Sequence, residues 1–173
     1  WQVYLHKTVL ASEFLLVNIL KRAKELALRG EELFCTPALH TFLYKRYTKK
    51  DFAENPKLLE AFAQLDDYDI MTSVKVWESH KDKILSVLCS GMIDRKLGRM
   101  WLQNQPFSAA MVAQIKQRTK KKYKLNDEEA GYLVFSDHVT NDVYRPDKIR
   151  INILFKDGQT EDISEASDQL NVD

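Results

Sequence analysis

The chain has 173 residues, 45% of them apolar and 10% aromatic, enough for a folded core, and its formal net charge is +1. Near-neutrality removes a bulk electrostatic case for nucleic-acid or membrane partners and leaves only local patches. Cys35 and Cys89 form no CxxC pair, which excludes a cysteine-rich zinc site and a disulfide framework and suits a reducing cytoplasm.

The opening segment, WQVYLHKTVLASEFLLVNIL, predicts a helix from before Tyr4 to about Arg29, with Gly30 as its stop. Leu10, Phe14, Val17 and Leu20 follow helical spacing, and Leu16, Ile19, Ala23 and Leu26 widen the stripe until it calls for packing on more than one side. Glu13, Lys21 and Arg22 interrupt it, so it is no membrane span, and it lacks the basic start and cleavage site of a signal peptide. A cytoplasmic location is expected. On a helix turning about 100° per residue, Tyr4 and Lys7 fall roughly 60° apart, while His6 points about 160° from Tyr4. A helix margin with Lys7 reaching to water explains the same turn without a ligand.

TPALHTFLYKRY predicts a short helix with Thr36 as N-cap and Pro37 in the first turn, and NPKLLEAFAQL repeats the device with Asn55 and Pro56. LDDYDIMTSVKVWESH and KDKILSVLCSGMIDRKLGRM predict two more helices. Asp66, Asp67 and Asp69 could be carboxylates awaiting a metal. Capping is the stronger expectation, with Asp66 as N-cap and Asp69 in the first turn, where the helix dipole favours negative charge. Arg95 and Arg99, one turn apart if the helix continues, suit a phosphate, although a solvated basic face is the commoner use of such a pair.

Composition changes near Gln105-Pro106-Phe107. SAAMVAQIKQRTKKKYKL predicts a helix ending in Lys116, Arg118, Lys120, Lys121, Lys122 and Lys124. The helix dipole accounts for that cluster, and nucleic acid is a poor second because Tyr123 alone interleaves it. YLVFS predicts a strand. IRINILF alternates, with Ile149, Ile151, Ile153 and Phe155 on one side, and KDGQ supplies a hairpin turn with Gly158 at positive φ before TEDIS. The expected architecture is mainly α. A helical portion over residues 1–104 is followed by a small α+β portion with a β-hairpin over 105–173.

No histidine among His6, His40, His80 and His138 precedes an aspartate, and HExxH, GxSxG and phosphate-cradling glycine loops are absent from the sequence. A complete active site is therefore not expected within it.

Taken together, VYLHKTVLASEFLLVNIL, LDDYDIMTSVKVWESH and ILSVLCSGMIDRKLGRM resemble, in order and spacing, the later helices of HD-domain phosphohydrolases. They are most similar to the deoxynucleoside triphosphate triphosphohydrolase branch. YLVFSDHVTNDVYRPDKIRINILFKDGQTEDISE resembles the mixed C-terminal portion of bacterial members. The resemblance implies the C-terminal part of an all-α HD domain and a parent enzyme that hydrolyses nucleotide triphosphates or similar phosphate esters. In such sites a divalent metal activates water for attack on phosphorus. It also implies that the metal ligands lie before the tyrosine helix, so the partner of this chain is a missing N-terminal HD half. This chain alone should bind no metal and be inactive. By residue, it implies that Tyr4 and Lys7 contact substrate and that His6, Arg95 and Arg99 reach a regulatory nucleotide in a homo-oligomer. Gly98 and Asp94 depart from the family pattern. The alternative expectation is a helical interaction or oligomerisation module without catalysis, with the apolar side of its first helix covered by the chain itself.

Overall fold

The computed structural model describes residues 6–103, 105–137 and 151–162. It divides into two units, Trp1–Phe135 and Ser136–Asp173.

In the first unit, α1 (Lys7–Leu28) is the spine. His6 is its N-cap, with an extended backbone and Nδ1 accepting the Thr8 amide at 3.3 Å. α1 therefore starts at Lys7, because the chain at His6 is not helical, and the expected stretch around Tyr4 lies outside the described residues. At the other end Gly30, at φ +88°, closes a Schellman motif. Its amide donates to Ala27 O at 3.0 Å, and the Glu31 amide donates to Leu26 O at 3.0 Å. Gly30 was the expected stop.

Proline and small polar caps then set a series of short helices. They are α2 (Pro37–Leu43), α3 (Lys49–Glu54) and α4 (Pro56–Ala63), with N-caps Thr36, Thr48 and Asn55. The second of these went unforeseen, although Thr48 and Asp51 form a capping box. Next come α5 (Asp67–Trp77) and α6 (Lys83–Ile93), and after an irregular stretch α7 (Ala109–Tyr123) and α8 (Asp127–Leu133).

The core lies between α1, α5 and α6. Ile19 and Ala23 meet Val74, Trp77, Leu85 and Cys89, and Leu125, Ala130 and Tyr132 join from the end of the unit. The buried Trp77 ring spends its one donor on Phe34 O at 2.8 Å. Of the apolar residues of α1, only Val17 and Leu28 are exposed. The stripe that called for packing on more than one side is therefore mostly buried or half-buried within the chain.

Two expectations for the second half change. YLVFS is not a strand, because Tyr132 and Leu133 end α8, whose capping box of Asn126 and Glu129 sets the helix going. The division falls after Phe135 rather than at 104/105. The reason is burial: Leu125, Ala130 and Tyr132 belong to the helical core, and buried Asn18 donates to Tyr132 O at 3.0 Å.

The described part of the second unit is an antiparallel hairpin, β1 (Asn152–Leu154) with β2 (Thr160–Asp162), pairing Ile153 with Glu161. Its loop closes as foreseen, with Gly158 at φ +85° and the Phe155 amide donating to Gln159 O at 2.8 Å. Ile153 is half-buried, but Ile151 and Phe155, expected on the same side, are exposed along with Asn152 and Leu154, so the expected buried face reduces to Ile153 among the described residues. Ile149 lies outside the described residues. The fold is thus mainly helical with a small two-stranded antiparallel sheet.

Candidate functional site

The residues singled out in the sequence fall into four places. Tyr4 lies outside the described residues. His6 and Lys7 are both exposed at the start of α1, where His6 is engaged as a cap.

Arg95 and Arg99 share no helical face. Past Ile93 the chain turns out of α6 through a second Schellman motif, with Arg95 at φ 55° in the position that Gly30 holds after α1. The Arg95 amide donates to Met92 O at 3.3 Å and the Lys96 amide to Gly91 O at 2.9 Å. Residues 96–100 are irregular, and both arginines are exposed. The spacing argument for a shared phosphate contact therefore falls, because it required α6 to run one turn further.

Asp66 and Asp69 are caps, as expected. Asp66 accepts the Tyr68 and Asp69 amides at 2.8 and 3.1 Å, and Asp69 accepts the Asp66 amide at 2.9 Å. The Thr36 hydroxyl and that amide hold the Asp69 carboxyl below its ordinary range. Among the described residues no group of three or more His, Cys, Asp or Glu is placed to hold a metal ion.

The strongest electrostatic feature was not foreseen as one. Arg22, 5% exposed, sits on the core face of α1 and grips Asp82 at the start of α6. Nε donates to Oδ1 at 3.1 Å and Nη2 to Oδ2 at 2.7 Å, while Nη1 donates to Glu25 at 3.3 Å. The guanidinium also lies over the Tyr132 ring, 5.5 Å from its centroid. Asp82 carries a second duty as N-cap of α6, accepting the Leu85 amide at 2.8 Å. Burial pushes its carboxyl up, but the bonds from Arg22 and Leu85 outweigh this and leave it below the usual carboxylate range. The Asp82 bond drives Arg22 still further toward its charged form against the cost of burial. Burial and the Glu25 carboxylate both hold the Tyr132 hydroxyl protonated. This is a satisfied buried ion network that joins α1, α6 and α8. Arg22 on an otherwise apolar stripe was its only sequence signal.

The last place is the basic end of α7. Lys120 pairs with Asp127 at 2.7 Å, and the cluster borders a surface depression of about 510 Å³ lined by Gln117, Arg118, Lys120, Lys121 and Leu125. Among the described residues no helix is long and apolar enough to cross a membrane.

Comparison with known proteins adds what these places do not. No family model matches the chain. Among solved structures, a phosphohydrolase from Bacteroides thetaiotaomicron is similar at a TM-score of 0.84 and 43% identity over 99% of this chain. Among curated proteins, the uncharacterized protein YwfO of Bacillus subtilis is 29% identical over 175 residues, 96% of this chain. The chain spans 42% of the length of the first and 37% of the second.

Proposed function

We propose that the chain is part of a phosphohydrolase of the HD type that uses a divalent metal to hydrolyse nucleotide triphosphates. The observation that carries this is the 43% identity, at a TM-score of 0.84, to a protein described as a phosphohydrolase. The HD class and the nucleotide substrate rest on the resemblance of the VYLHK, LDDYDI and MIDRKLGRM segments.

Among the described residues no cluster of His, Cys, Asp or Glu fits a divalent metal, and the family resemblance assigns the ligands to protein preceding the tyrosine helix. Within the segment, Tyr4 and Lys7 are assigned to the substrate pocket, where an ammonium and a phenol suit phosphate and sugar. His6, Arg95 and Arg99 are assigned to a regulatory nucleotide in a homo-oligomer. For the two arginines this assignment comes from the family resemblance alone, since they lie on no shared face.

The test is hydrolysis by the full-length gene product. With manganese or magnesium and each nucleoside triphosphate, phosphate or tripolyphosphate should be released, and a chelator should stop it. Lys7→Ala should raise KM. Failure to turn over any nucleoside triphosphate with any divalent metal would sink the assignment. A second reading, a helical interaction module without catalysis, is favoured by one observation, the coverage of the apolar stripe of α1 within the chain. It predicts no turnover of any phosphate ester.

A further inference from the structure

Burial fails at one end of the α1–α6 pair. The two helices run antiparallel. Arg22 meets Asp82 toward one end, and toward the other a Cβ added to Gly91 would lie 3.6 Å from Leu15 Cδ2. Residues seven or eleven apart fall on one line along a helix, and on each such line burial is lost in the same direction. On α1, Ser12 is half-buried where Ile19 and Ala23 are fully buried, and Leu16 is half-buried where Ala23 and Ala27 are buried. On α6, Leu85 is fully buried and Met92 only half.

The first helix also overhangs its partner at that end. Beyond Leu15 it runs on to Lys7, about 12 Å, whereas α6 stops at Ile93. The overhang does not suit water. Its first turn holds no acidic residue to meet the helix dipole, and Val9, Leu10, Ala11 and Phe14 follow in its place. Leu10 is buried, and Phe14 takes the Phe135 ring on one side with centroids 5.6 Å apart. Val9, Ala11, Leu15 and Leu16 are left half-buried.

Whatever completes this end is apolar and arrives beside the start of α1. The chain spans 42% and 37% of the lengths of the two similar proteins, so each of them carries more than half of its polypeptide elsewhere. A lobe attached ahead of Trp1 would join α1 through a stretch no longer than about 22 Å. Such a tether holds it at an effective concentration in the millimolar range, an advantage that a separate chain lacks.

We propose that the open end of the α1–α6 pair is the seat of the lobe that precedes this chain, with Ser12, Leu16 and Met92 in the contact. This rests on the proposed placing of the rest of the enzyme ahead of α1. Lys7, at the same end of the helix, then stands at the seam between the two lobes.

The experiment uses the full-length gene product carrying Ser12→Cys or Leu16→Cys, treated with an aromatic disulfide reagent and followed site by site by mass spectrometry. Native Cys35, half-buried in the same molecule, is the reference. Both introduced thiols should react at least about 10-fold more slowly than Cys35, at every protein concentration. Ser12→Cys exchanges one small side chain for another and keeps the test open should Leu16→Cys unfold the protein, as judged by circular dichroism. Reaction of a folded variant as fast as Cys35 overturns the proposal. So does protection that disappears on dilution, which would assign the cover to a second copy. Nucleotide hydrolysis by a protein whose Ser12→Cys thiol reacts freely would overturn the docking alone. Protection without hydrolysis would uphold the docking and remove only the enzymatic reading.

Discussion

Arg22 and Asp82, 60 residues apart in sequence, meet side-on with two hydrogen bonds of 3.1 and 2.7 Å in the interior of the helical unit. The carboxylate that neutralises the guanidinium is also the cap of α6. Removing the carboxylate therefore does two things at once: it strands a buried charge and it uncaps a core helix. Asp82→Ala should lower unfolding free energy by about 3–5 kcal/mol, read from urea denaturation. Replacing Arg22 by Met together with Asp82→Asn, which retains a capping oxygen, should cost distinctly less. A loss below about 1 kcal/mol for Asp82→Ala would show that the pair is ornamental.

The same pair sets an acid limit. The Asp82 carboxyl is held below its unfolded value of 3.8. Its stabilising contribution is thus fully present above that value and is lost as pH falls through the lower folded value. Half-buried Asp51 and Asp69 and exposed Asp127 are also held low and share in the decline. The informative quantity is the difference between wild type and Asp82→Asn. That gap should be wide at neutral pH and narrow below about pH 4. Parallel curves would argue against the pair.

Arg95 holds at φ 55° a position that Gly30 fills after α1 at φ +88°. The left-handed conformation costs a side-chain-bearing residue about 1–2 kcal/mol, part of which glycine returns through its freer unfolded chain. Arg95→Gly should therefore stabilise the protein by about 0.5–1 kcal/mol, measured by thermal melting. Arg95→Ala removes the same charge without relieving the backbone, so the two variants separate any nucleotide-binding role of the guanidinium from its conformational cost. A destabilised Arg95→Gly variant would contradict the geometry.

Cys89 is fully buried, and burial pushes its thiol up to about 12. Half-buried Cys35 is also shifted upward by burial. In the native protein at about pH 8, where an ordinary thiol is partly ionised, an aromatic disulfide reagent should label Cys35 slowly. Cys89 should react only at the rate of unfolding. Rapid modification of both would mean that the α1–α6 core opens readily.

Local chemistry was legible where a polar cap stood beside its helix. Thr36 with Pro37, Asn55 with Pro56, and Asp66 with Asp69 all behave as their spacing requires. Asn126 and Glu129 carry the same signal, but the apolar run after them, YLVFS, has strand-like spacing that predicts a strand. The buried Ala130 and Tyr132 are helical residues set in register by that cap. The Arg95–Arg99 pairing failed for a related reason: spacing says which residues could align on a helix, not where the helix stops. The partnership of Arg22 with Asp82 had no local trace, since it depends on how α1 crosses the start of α6. The side chains assigned to nucleotide contact were reached through family resemblance rather than from any arrangement of groups.

Asn18, Arg22 and Glu25 on α1 all address Tyr132, far along the chain. Anyone trimming the protein for expression at the shift in composition near Pro106 would discard the tyrosine that completes this cluster. The remaining fragment would carry a half-dressed cation and the unpaired amide of Asn18 into water. The safe place to cut is the far side of Phe135, whose ring still lies against Phe14 with centroids 5.6 Å apart.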